Sequence, residues 1–319
     1  MASGIVGKCP ALSPAELAFR FVPARRFAAV SFESFVPDPR EPSQAAALTT
    51  LRGLLDRLGA KRSPARAGDY CYLDGPFGVG KTHLLAALWH STSVEKAYLS
   101  FSELCAYIGY VGMAAAVDEL GSRRLLCIDE FELDDVANTM MAVTSLRSIG
   151  AGGCLIATTS NTLPDDLGKG RFGVQDFRRE VALIASLFTV VQIDGDDFRR
   201  RTNTSRDERG KPADHPAQPT VVEFDALLVH LSLLHPVYYG ALVEDLHSLR
   251  IDRITTIRDQ AEALRFVVLV DELYEHAVIT NVGNLPDPLF DESFRLGGYR
   301  KKYARCESRL VEMLAEVAT

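Results

Sequence analysis

The stretch GPFGVGKT, from Gly75 to Thr82, decides how the rest of this chain is interpreted. It matches the pattern G-x-x-x-x-G-K-[ST], which is typical of a loop that binds phosphate groups. The residues from Tyr70 to Leu73 have the aromatic and apolar character of a buried strand, and those from Thr82 to His90 are rich in helix formers. Strand, glycine loop and helix follow in the order that a phosphate-binding loop requires, so we expect one here.

The residue types of this loop fit the chemistry of nucleotide phosphates. Glycines let the backbone bring its N–H groups close to phosphate oxygens, and the positive end of the following helix faces the same anion. Lys81 can reach the β- and γ-phosphates of ATP, and the Thr82 hydroxyl can ligate Mg²⁺. The residues expected to contact the nucleotide are Gly75, Pro76, Phe77, Gly78, Val79, Gly80, Lys81 and Thr82.

Two carboxylates follow a later apolar run. The residues from Leu125 to Ile128 predict a buried strand, and Asp129 and Glu130 come directly after them. We expect Asp129 to hold Mg²⁺ through its water shell, because this ion prefers octahedral oxygen ligands and keeps several waters. We expect Glu130 to orient and deprotonate the attacking water.

A polar amide follows the next predicted strand. The residues from Cys154 to Thr158 have the pattern of a strand, and Asn161 comes shortly after them. Open α/β sheets bind ligands at the carboxyl ends of their strands, so Asn161 is a candidate to fix the attacking water or to sense the γ-phosphate. An asparagine that merely forms a turn is the alternative.

The composition is that of an ordinary globular protein. The chain has 319 residues, 47% of them hydrophobic, and its 35 basic and 42 acidic residues leave a net charge of -7. This charge gives no general field that would attract nucleic acid or an anionic membrane. No apolar run approaches the ~18 residues of a membrane span, and the N-terminal stretch lacks the apolar region of a signal peptide. We therefore expect a cytoplasmic protein with reduced cysteines.

Three further stretches carry a resemblance to a known family. They are CIDEFELDDVA from Cys127, TSNTLPDDL from Thr159 and IDGDDFR from Ile193. Together with the glycine loop they resemble the successive signatures of the ZapE-type ATPases, which are AAA+-related P-loop proteins. The resemblance extends from about Phe35 to the C-terminus, and it implies Mg²⁺-dependent ATP hydrolysis.

One departure from the family pattern concerns an arginine. Family members carry it a few residues after the P-D-D-L stretch, where this chain has Val174. An arginine donated across a subunit interface can contribute about 10³ to 10⁵ in rate. The resemblance implies that another arginine near position 174 in the sequence takes this catalytic role. Arg171 is favoured and Arg179 is second, with Arg178 beside it. A surface salt bridge is the alternative role of each.

The expected fold class is α/β, with a P-loop, AAA+-like parallel sheet followed by a C-terminal α+β region. Four segments are predicted: a lead-in with a helix over 1–68, the ATPase core over 69–198, a linker over 199–220 and a C-terminal α+β or lid region over 221–319. In the last segment we expect helices over Pro236–Leu249, Ala261–His276 and Tyr299–Val317, and strands over Arg253–Ile257 and Val278–Thr280.

The resemblance also implies a partner. Family members act in bacterial cell division and in mitochondrial quality control, so we expect an ATPase that remodels a protein partner, with the tubulin-like division ring as one candidate. Recruitment to the division site, peripheral membrane association and homo-oligomer formation belong to this expectation. Two alternatives stay open: a helicase-loader-like ATPase that acts on a DNA-bound partner, and a slow nucleotide-dependent binding switch.

Nucleic-acid binding is expected to be weak. The residues from Arg199 to Pro219 cluster positive charge among threonine, serine, aspartate and proline, which predicts a disordered linker. A patch for phosphate or for an acidic partner is the alternative. Aromatic side chains that would stack on single-stranded bases are not interleaved with these arginines, so only weak, salt-dependent binding follows.

Overall fold

The computed structural model divides the chain into two compact units. The described residues are 4–64, 66, 68–131, 136–161, 182, 185–196, 219–283, 285–296 and 298–317. The larger unit consists of Pro14–Pro23 and Phe27–Lys211, and the smaller unit consists of Met1–Ser13, Ala24–Arg26 and Pro212–Thr319. The four segments proposed from the sequence stay a prediction.

The larger unit is built on a five-stranded sheet whose paired strands are parallel. The strands are β1 (Tyr70–Asp74), β2 (Lys96–Ser100), β3 (Leu125–Asp129), β4 (Leu155–Ser160) and β5 (Phe188–Gln192). Their order across the sheet is β2-β3-β4-β1-β5, so β4 separates the strand before the glycine loop from the strand that ends in Asp129. The predicted parallel α/β core is therefore confirmed.

Helices pack on both faces of this sheet. They are α1 (Pro14–Phe19), α2 (Pro42–Gly59), α3 (Lys81–His90), α4 (Phe101–Val111), α5 (Met113–Gly121) and α6 (Val136–Ala151). On one face, Leu51 of α2 and Leu85 of α3 share a core with Cys127 of β3. On the other face, the rings of Phe101 and Phe131 meet edge to face at 4.9 Å. Burial on both faces explains the near-continuous apolar runs of β1, β3 and β4.

The second strand ends one residue earlier than its sequence pattern indicates. Ser100 is the N-cap of α4, because its hydroxyl accepts a hydrogen bond from the Glu103 N–H at 3.2 Å. The Glu103 carboxylate in turn accepts one from the Ser100 N–H at 2.6 Å. This reciprocal pair begins the helix at Phe101, which the pattern assigns to the strand.

The smaller unit contains a second parallel sheet, of order β6-β7-β8. Its strands are β6 (Thr220–Glu223), β7 (Ser248–Asp252) and β8 (Ile279–Val282). Its helices are α7 (Phe224–Leu233), α8 (Tyr239–Val243), α9 (Gln260–Glu275) and α10 (Arg300–Val317). Leu227, Leu249 and Phe266 join α7, β7 and α9 in one apolar core. Helices and strands both occur in the C-terminal region, as predicted, but the strands are parallel and alternate with helices, so the described arrangement is α/β and not the predicted α+β.

Two boundaries predicted for the smaller unit are wrong. The helix predicted over Pro236–Leu249 ends at Val243, and the strand predicted over Arg253–Ile257 lies earlier, at β7. Leu249 and Ile251 are fully buried and alternate with more exposed neighbours. Pairing with β6 and β8 therefore determines which residues form this strand. Arg253 follows with φ 60, a left-handed conformation in which a strand does not continue.

The helices of the described residues include no single one that is long and apolar enough to cross a membrane. By length and composition alone, α7 passes that test together with the segment Pro236–Val243, and this pair is bent by 111°. Buried residues of α7 are Phe224, Leu227, Leu228, His230 and Leu231.

Candidate active site

The carboxyl ends of β1, β3 and β4 lie side by side at one edge of the larger unit's sheet. Asp74 is in register with Ser160, and Ile128 is in register with Thr158. The glycine loop, Glu130 and Asn161 therefore all follow strands that end at this edge. Ligands of parallel sheets bind at this edge, so one site can use the predicted loop and the predicted acids.

The glycine loop needs glycine at two positions for reasons of space and backbone conformation. Gly75 has φ 154 and Gly80 has φ 94, both in a region that favours glycine. A Cβ on Gly75 would lie 2.1 Å from the carbonyl oxygen of Ile193, and one on Gly80 would lie 2.7 Å from the Phe35 ring. The helix α3 begins directly after Gly80, so the N–H groups of its first turn face the loop.

The Lys81 side chain lies inside this loop. Its Nζ donates hydrogen bonds to the carbonyl oxygens of Gly75 at 2.6 Å and of Pro76 at 2.7 Å. The residue is only 8% exposed, so the surrounding loop fixes the position of the ammonium group. A lysine held in this way presents positive charge where the loop is expected to receive phosphate.

The Asp129 carboxylate accepts hydrogen bonds from three hydroxyl groups. Thr82 donates from Oγ1 to Oδ1 at 3.2 Å, Tyr98 donates to Oδ2 at 3.1 Å, and Thr159 also donates to Oδ1. Desolvation raises the pKa of Asp129 and the charge of Glu130 raises it further, while the three hydrogen bonds lower it. A cation bound beside this carboxylate would offset both unfavourable effects.

Glu130 lies in a left-handed turn directly after β3. Its φ is 51, which is uncommon for a residue other than glycine. Its N–H donates to Thr159 Oγ1 at 3.0 Å and to Asp129 Oδ1 at 3.1 Å. A third carboxyl group is close by: desolvation raises the pKa of Glu103, and the charges of Asp129 and Glu130 raise it further.

A segment of the N-terminal lead-in packs against the glycine loop, which the sequence patterns did not predict. Ser34 Oγ lies 2.9 Å from His83 Nε2, and the carbonyl oxygen of Ser31 lies 3.3 Å from the same nitrogen. The Phe35 and His83 rings have centroids 5.7 Å apart. Desolvation lowers the pKa of His83, which favours the neutral ring. The lead-in is thereby tied to the first turn of α3.

The oxygen donors at this edge suit Mg²⁺. Within the described residues, no group of three or more His, Cys, Asp or Glu side chains is placed to hold a metal ion. Thr82 Oγ1 and the Asp129 carboxylate are hard oxygen donors only 3.2 Å apart. Because Mg²⁺ keeps several waters and shares phosphate oxygens with its substrates, two protein oxygens are a sufficient protein contribution. The residues present therefore fit Mg²⁺ bound together with ATP.

Of the remaining candidates from the sequence, one belongs to the described residues and three do not. Asn161 is half-buried and follows β4 directly. Arg171, Arg178 and Arg179 lie outside the described residues, so their roles stay predictions.

Tyr98 and Thr159 were not among the candidates from sequence, although both contact Asp129. Tyr98 stands in an apolar strand and nothing in its spacing marks it. Thr159 belongs to the polar run at the end of β4, two residues before Asn161. This position in the sequence could have marked it as a residue of the site.

The match to a family model covers most of this chain. The model described as AFG1-like ATPase matches residues 15–221 and 214–319. The chain belongs to the AFG1-like ATPase family. As an AFG1-like ATPase it is an ATP hydrolase, which confirms the family resemblance and the enzyme class predicted from the sequence.

The individual proteins to which this AFG1-like ATPase is similar share less than 30% of its sequence. It is 27% identical over 330 residues to "Cell division protein ZapE" of Escherichia coli strain K12, covering 88% of this chain and 86% of that protein. The solved structure of DnaI has a TM-score of 0.44 and 21% identity, covering 54% of this chain and 92% of that chain. The AMPPCP-bound DnaA from Aquifex aeolicus has a TM-score of 0.43 and 17% identity, covering 58% and 57%.

Proposed function

We propose that this ATPase hydrolyses ATP in a Mg²⁺-dependent reaction and uses the nucleotide cycle to remodel a protein partner. The observation that carries the proposal is the hydrogen bond from Thr82 Oγ1 to Asp129 Oδ1, 3.2 Å long. It joins the residue after the phosphate-loop lysine to the acid at the end of β3. Two motifs that are 47 residues apart in sequence therefore meet at one point.

The loop residues bind and orient the nucleotide in this proposal. When ATP binds, Lys81 gives up its hydrogen bonds to the carbonyl oxygens of Gly75 and Pro76 and donates instead to oxygens of the β- and γ-phosphates. The N–H groups at the start of α3 face the same phosphate oxygens. Thr82 and Asp129 would hold Mg²⁺, which supplies positive charge against the phosphate oxygens when it is bound.

Glu130 acts as the general base. It takes a proton from the attacking water, because residue 130 follows Asp129 directly, at the edge of the sheet where the phosphate loop also lies. Asn161 orients the same water or senses the γ-phosphate, since it follows the neighbouring strand at the same edge.

An arginine completes the charge balance across a subunit interface. In this proposal Arg171 of one copy reaches the nucleotide of its neighbour, with Arg179 as the second candidate. The active form is then a homo-oligomer, because the arginine that neutralises charge at the reacting phosphate comes from a second copy.

The partner is a protein. The similarity to a protein named for cell division supports a partner in that process, with the tubulin-like division ring as the first candidate. We place the enzyme in the cytoplasm with recruitment to the division site, and peripheral membrane association follows if the ring is the partner. Nucleic acid is not the primary ligand, since the net charge of -7 opposes it.

Two variants test the chemistry. Lys81→Ala is expected to abolish ATP binding, whereas Glu130→Gln keeps ATP binding and loses turnover by about 10²- to 10⁴-fold, the range of a general base. Turnover is measured as phosphate release with and without Mg²⁺, and binding by titration with a fluorescent ATP analogue. Wild-type turnover in Glu130→Gln contradicts the base assignment. Tight ATP binding with no turnover in the wild-type chain favours the slow binding switch.

A mixing experiment tests the shared arginine. Arg171→Ala supplies an intact Glu130 and Glu130→Gln supplies an intact arginine, so a mixture of these two inactive chains is expected to recover activity. The same mixture made with Arg179→Ala tests the second candidate. If neither mixture recovers and wild-type turnover does not depend on protein concentration, the shared arginine is wrong.

The partner is tested with the ATP-bound Glu130→Gln chain. We expect it to retain the purified tubulin-like division protein in the presence of ATP, and Lys81→Ala, which cannot bind ATP, serves as the control. Equal retention by both variants contradicts coupling to nucleotide. Salt-resistant binding to DNA in the same format favours the helicase-loader alternative.

A further inference from the structure

Thr159 holds the turn that carries both predicted catalytic acids. It lies in β4, next to β3, and is only 2% exposed. Its hydroxyl donates to Asp129 Oδ1 and accepts from the Glu130 N–H at 3.0 Å. Its carbonyl oxygen accepts from the Phe131 N–H at 2.7 Å. One residue therefore contacts three consecutive residues of the neighbouring chain segment.

The backbone of that segment is one that needs outside support. Glu130 has φ 51, and a left-handed residue with a side chain persists only where its surroundings determine it. The two hydrogen bonds from Glu130 and Phe131 to Thr159 lie on either side of the Glu130 Cα. They fix the direction in which the Glu130 side chain leaves the sheet.

We propose that Thr159 is a positioning residue, which holds Glu130 in its left-handed turn and orients Asp129. This inference rests on the proposed role of Glu130 as the general base. Threonine suits the task because one hydroxyl can donate and accept at the same time. Valine has nearly the same shape and can do neither, so it would leave the Glu130 N–H and Asp129 Oδ1 without this partner.

The neighbouring Thr158 is a matched control. It is fully buried in the same strand, and successive strand residues point to opposite faces of the sheet. Its hydroxyl has no hydrogen-bond partner among the described residues. Thr158→Val therefore makes the same chemical change in the same strand without touching the acids.

The main test compares three single variants. Thr159→Val is expected to lower kcat by about 10- to 100-fold, because a small misplacement of a reacting group has an effect of that order. Its affinity for a fluorescent ATP analogue measured without Mg²⁺ should stay within about twofold of the wild type, since the variant leaves the phosphate loop intact. Thr159→Ser keeps the hydroxyl and should retain most of kcat, and Thr158→Val should match the wild type.

A double variant separates positioning from a purely structural role. If Thr159 acts mainly through Glu130, the loss of kcat caused by Thr159→Val should become smaller when Glu130→Gln is already present, and the loss that remains is the part that acts through Asp129. A crystal structure of Thr159→Val adds a readout independent of turnover: residue 130 is expected to leave the left-handed region or to become disordered.

Each outcome bears on the proposal. Normal kcat in Thr159→Val overturns it, as does an equal loss in Thr159→Ser or an undiminished loss in the Glu130→Gln background. If Thr159→Val does not fold, Thr159→Ser decides, because loss of kcat in a variant that keeps the hydroxyl contradicts the mechanism. Wild-type turnover in Glu130→Gln alone refutes the general base. If Glu130→Gln is inactive and Thr159→Val has the wild-type kcat, only the positioning role of Thr159 is refuted.

Discussion

Two strands in the two units of this chain end in the same way, and only one of them leads into a candidate active site. In the larger unit, β3 ends at Asp129 and Glu130 follows with φ 51. In the smaller unit, β7 ends at Asp252 and Arg253 follows with φ 60. Each strand lies between two parallel neighbours. The local backbone is shared, so the surroundings must decide the difference.

The two aspartates have different partners. Asp252 accepts a hydrogen bond from Arg250 Nε at 2.7 Å, and this guanidinium offsets its charge at the surface. Arg253 in turn pairs with Glu223. The side chains that donate to Asp129 are neutral hydroxyls, which orient the carboxylate without offsetting its charge. The proposed cation would therefore offset the charge of Asp129, whereas Arg250 already offsets that of Asp252.

The loops that precede the helices also differ. In the smaller unit, β6 ends at Glu223 and α7 begins at the next residue. In the larger unit, Gly75 to Gly80 lie between β1 and α3 and hold Lys81 over their carbonyl oxygens. A strand that ends in an acid is thus common to both sheets, and a glycine loop beside it is what makes a phosphate site.

The largest effect expected from this comparison comes from neutralising the two aspartates. Asp129→Asn should lower turnover at limiting Mg²⁺ by about 10- to 100-fold, as for loss of a group that orients a metal's water shell. Asp252→Asn should leave turnover unchanged. Phosphate release across a Mg²⁺ titration measures both. Equal effects of the two variants would show that the surroundings of the strand end do not matter.

The next effect concerns the glycines that follow the strands. Gly75→Ala places a Cβ 2.1 Å from the Ile193 carbonyl oxygen at φ 154, and should destabilise the fold by about 1–3 kcal/mol and weaken ATP binding. Gly283 follows β8, and a Cβ there meets nothing within 4 Å among the atoms described. Gly283→Ala should therefore stay within about 0.5 kcal/mol of the wild type.

Urea denaturation and ATP titration distinguish these two glycine variants. The prediction for the glycine loop is contradicted if Gly75→Ala unfolds at the wild-type midpoint and binds ATP normally.

A smaller effect is expected from two tyrosines that donate to carboxylates. Tyr98→Phe removes the bond to Asp129 Oδ2, 3.1 Å long, and a lost bond of about 1 kcal/mol corresponds to about a fivefold weaker Mg²⁺ response. Tyr274→Phe removes the 3.0 Å bond to Glu312 in the smaller unit, and should lower stability by about 1 kcal/mol without changing the Mg²⁺ response. A Mg²⁺ titration of turnover, with thermal denaturation beside it, separates the two.

The smallest effect is a dependence of stability on pH in the smaller unit. Desolvation lowers the pKa of His235, whose Nδ1 accepts from the Val237 N–H at 3.3 Å. The unfolded chain therefore takes up the proton first, and this contribution to stability is lost as the pH falls below the ordinary value of 6.5. His235→Asn keeps an acceptor for Val237 and should flatten the dependence in thermal denaturation between pH 7 and about pH 5. An unchanged slope would exclude His235 as its source.

Local patterns were enough to predict the parallel sheet of the larger unit. The strands β1, β3 and β4 are buried on both faces, so their residues form apolar runs that stand out in the sequence. In the smaller unit the patterns misplaced β7, because the β-branched residues of Arg253–Ile257 have high strand propensity. Pairing with β6 and β8 instead selected Ser248–Asp252.

The sequence by itself determined the glycine loop and the acids of the candidate site. These residues act through fixed spacing within short segments, so the loop and the pair Asp129 and Glu130 carry their chemistry in the local pattern. Only the tertiary structure decided which side chains surround them. Tyr98 and Thr159 reach Asp129 because β2 and β4 lie on either side of β3, and Phe35 covers Gly80 from a segment 45 residues earlier in the chain. Such contacts follow from strand order and packing, which spacing along the chain does not encode.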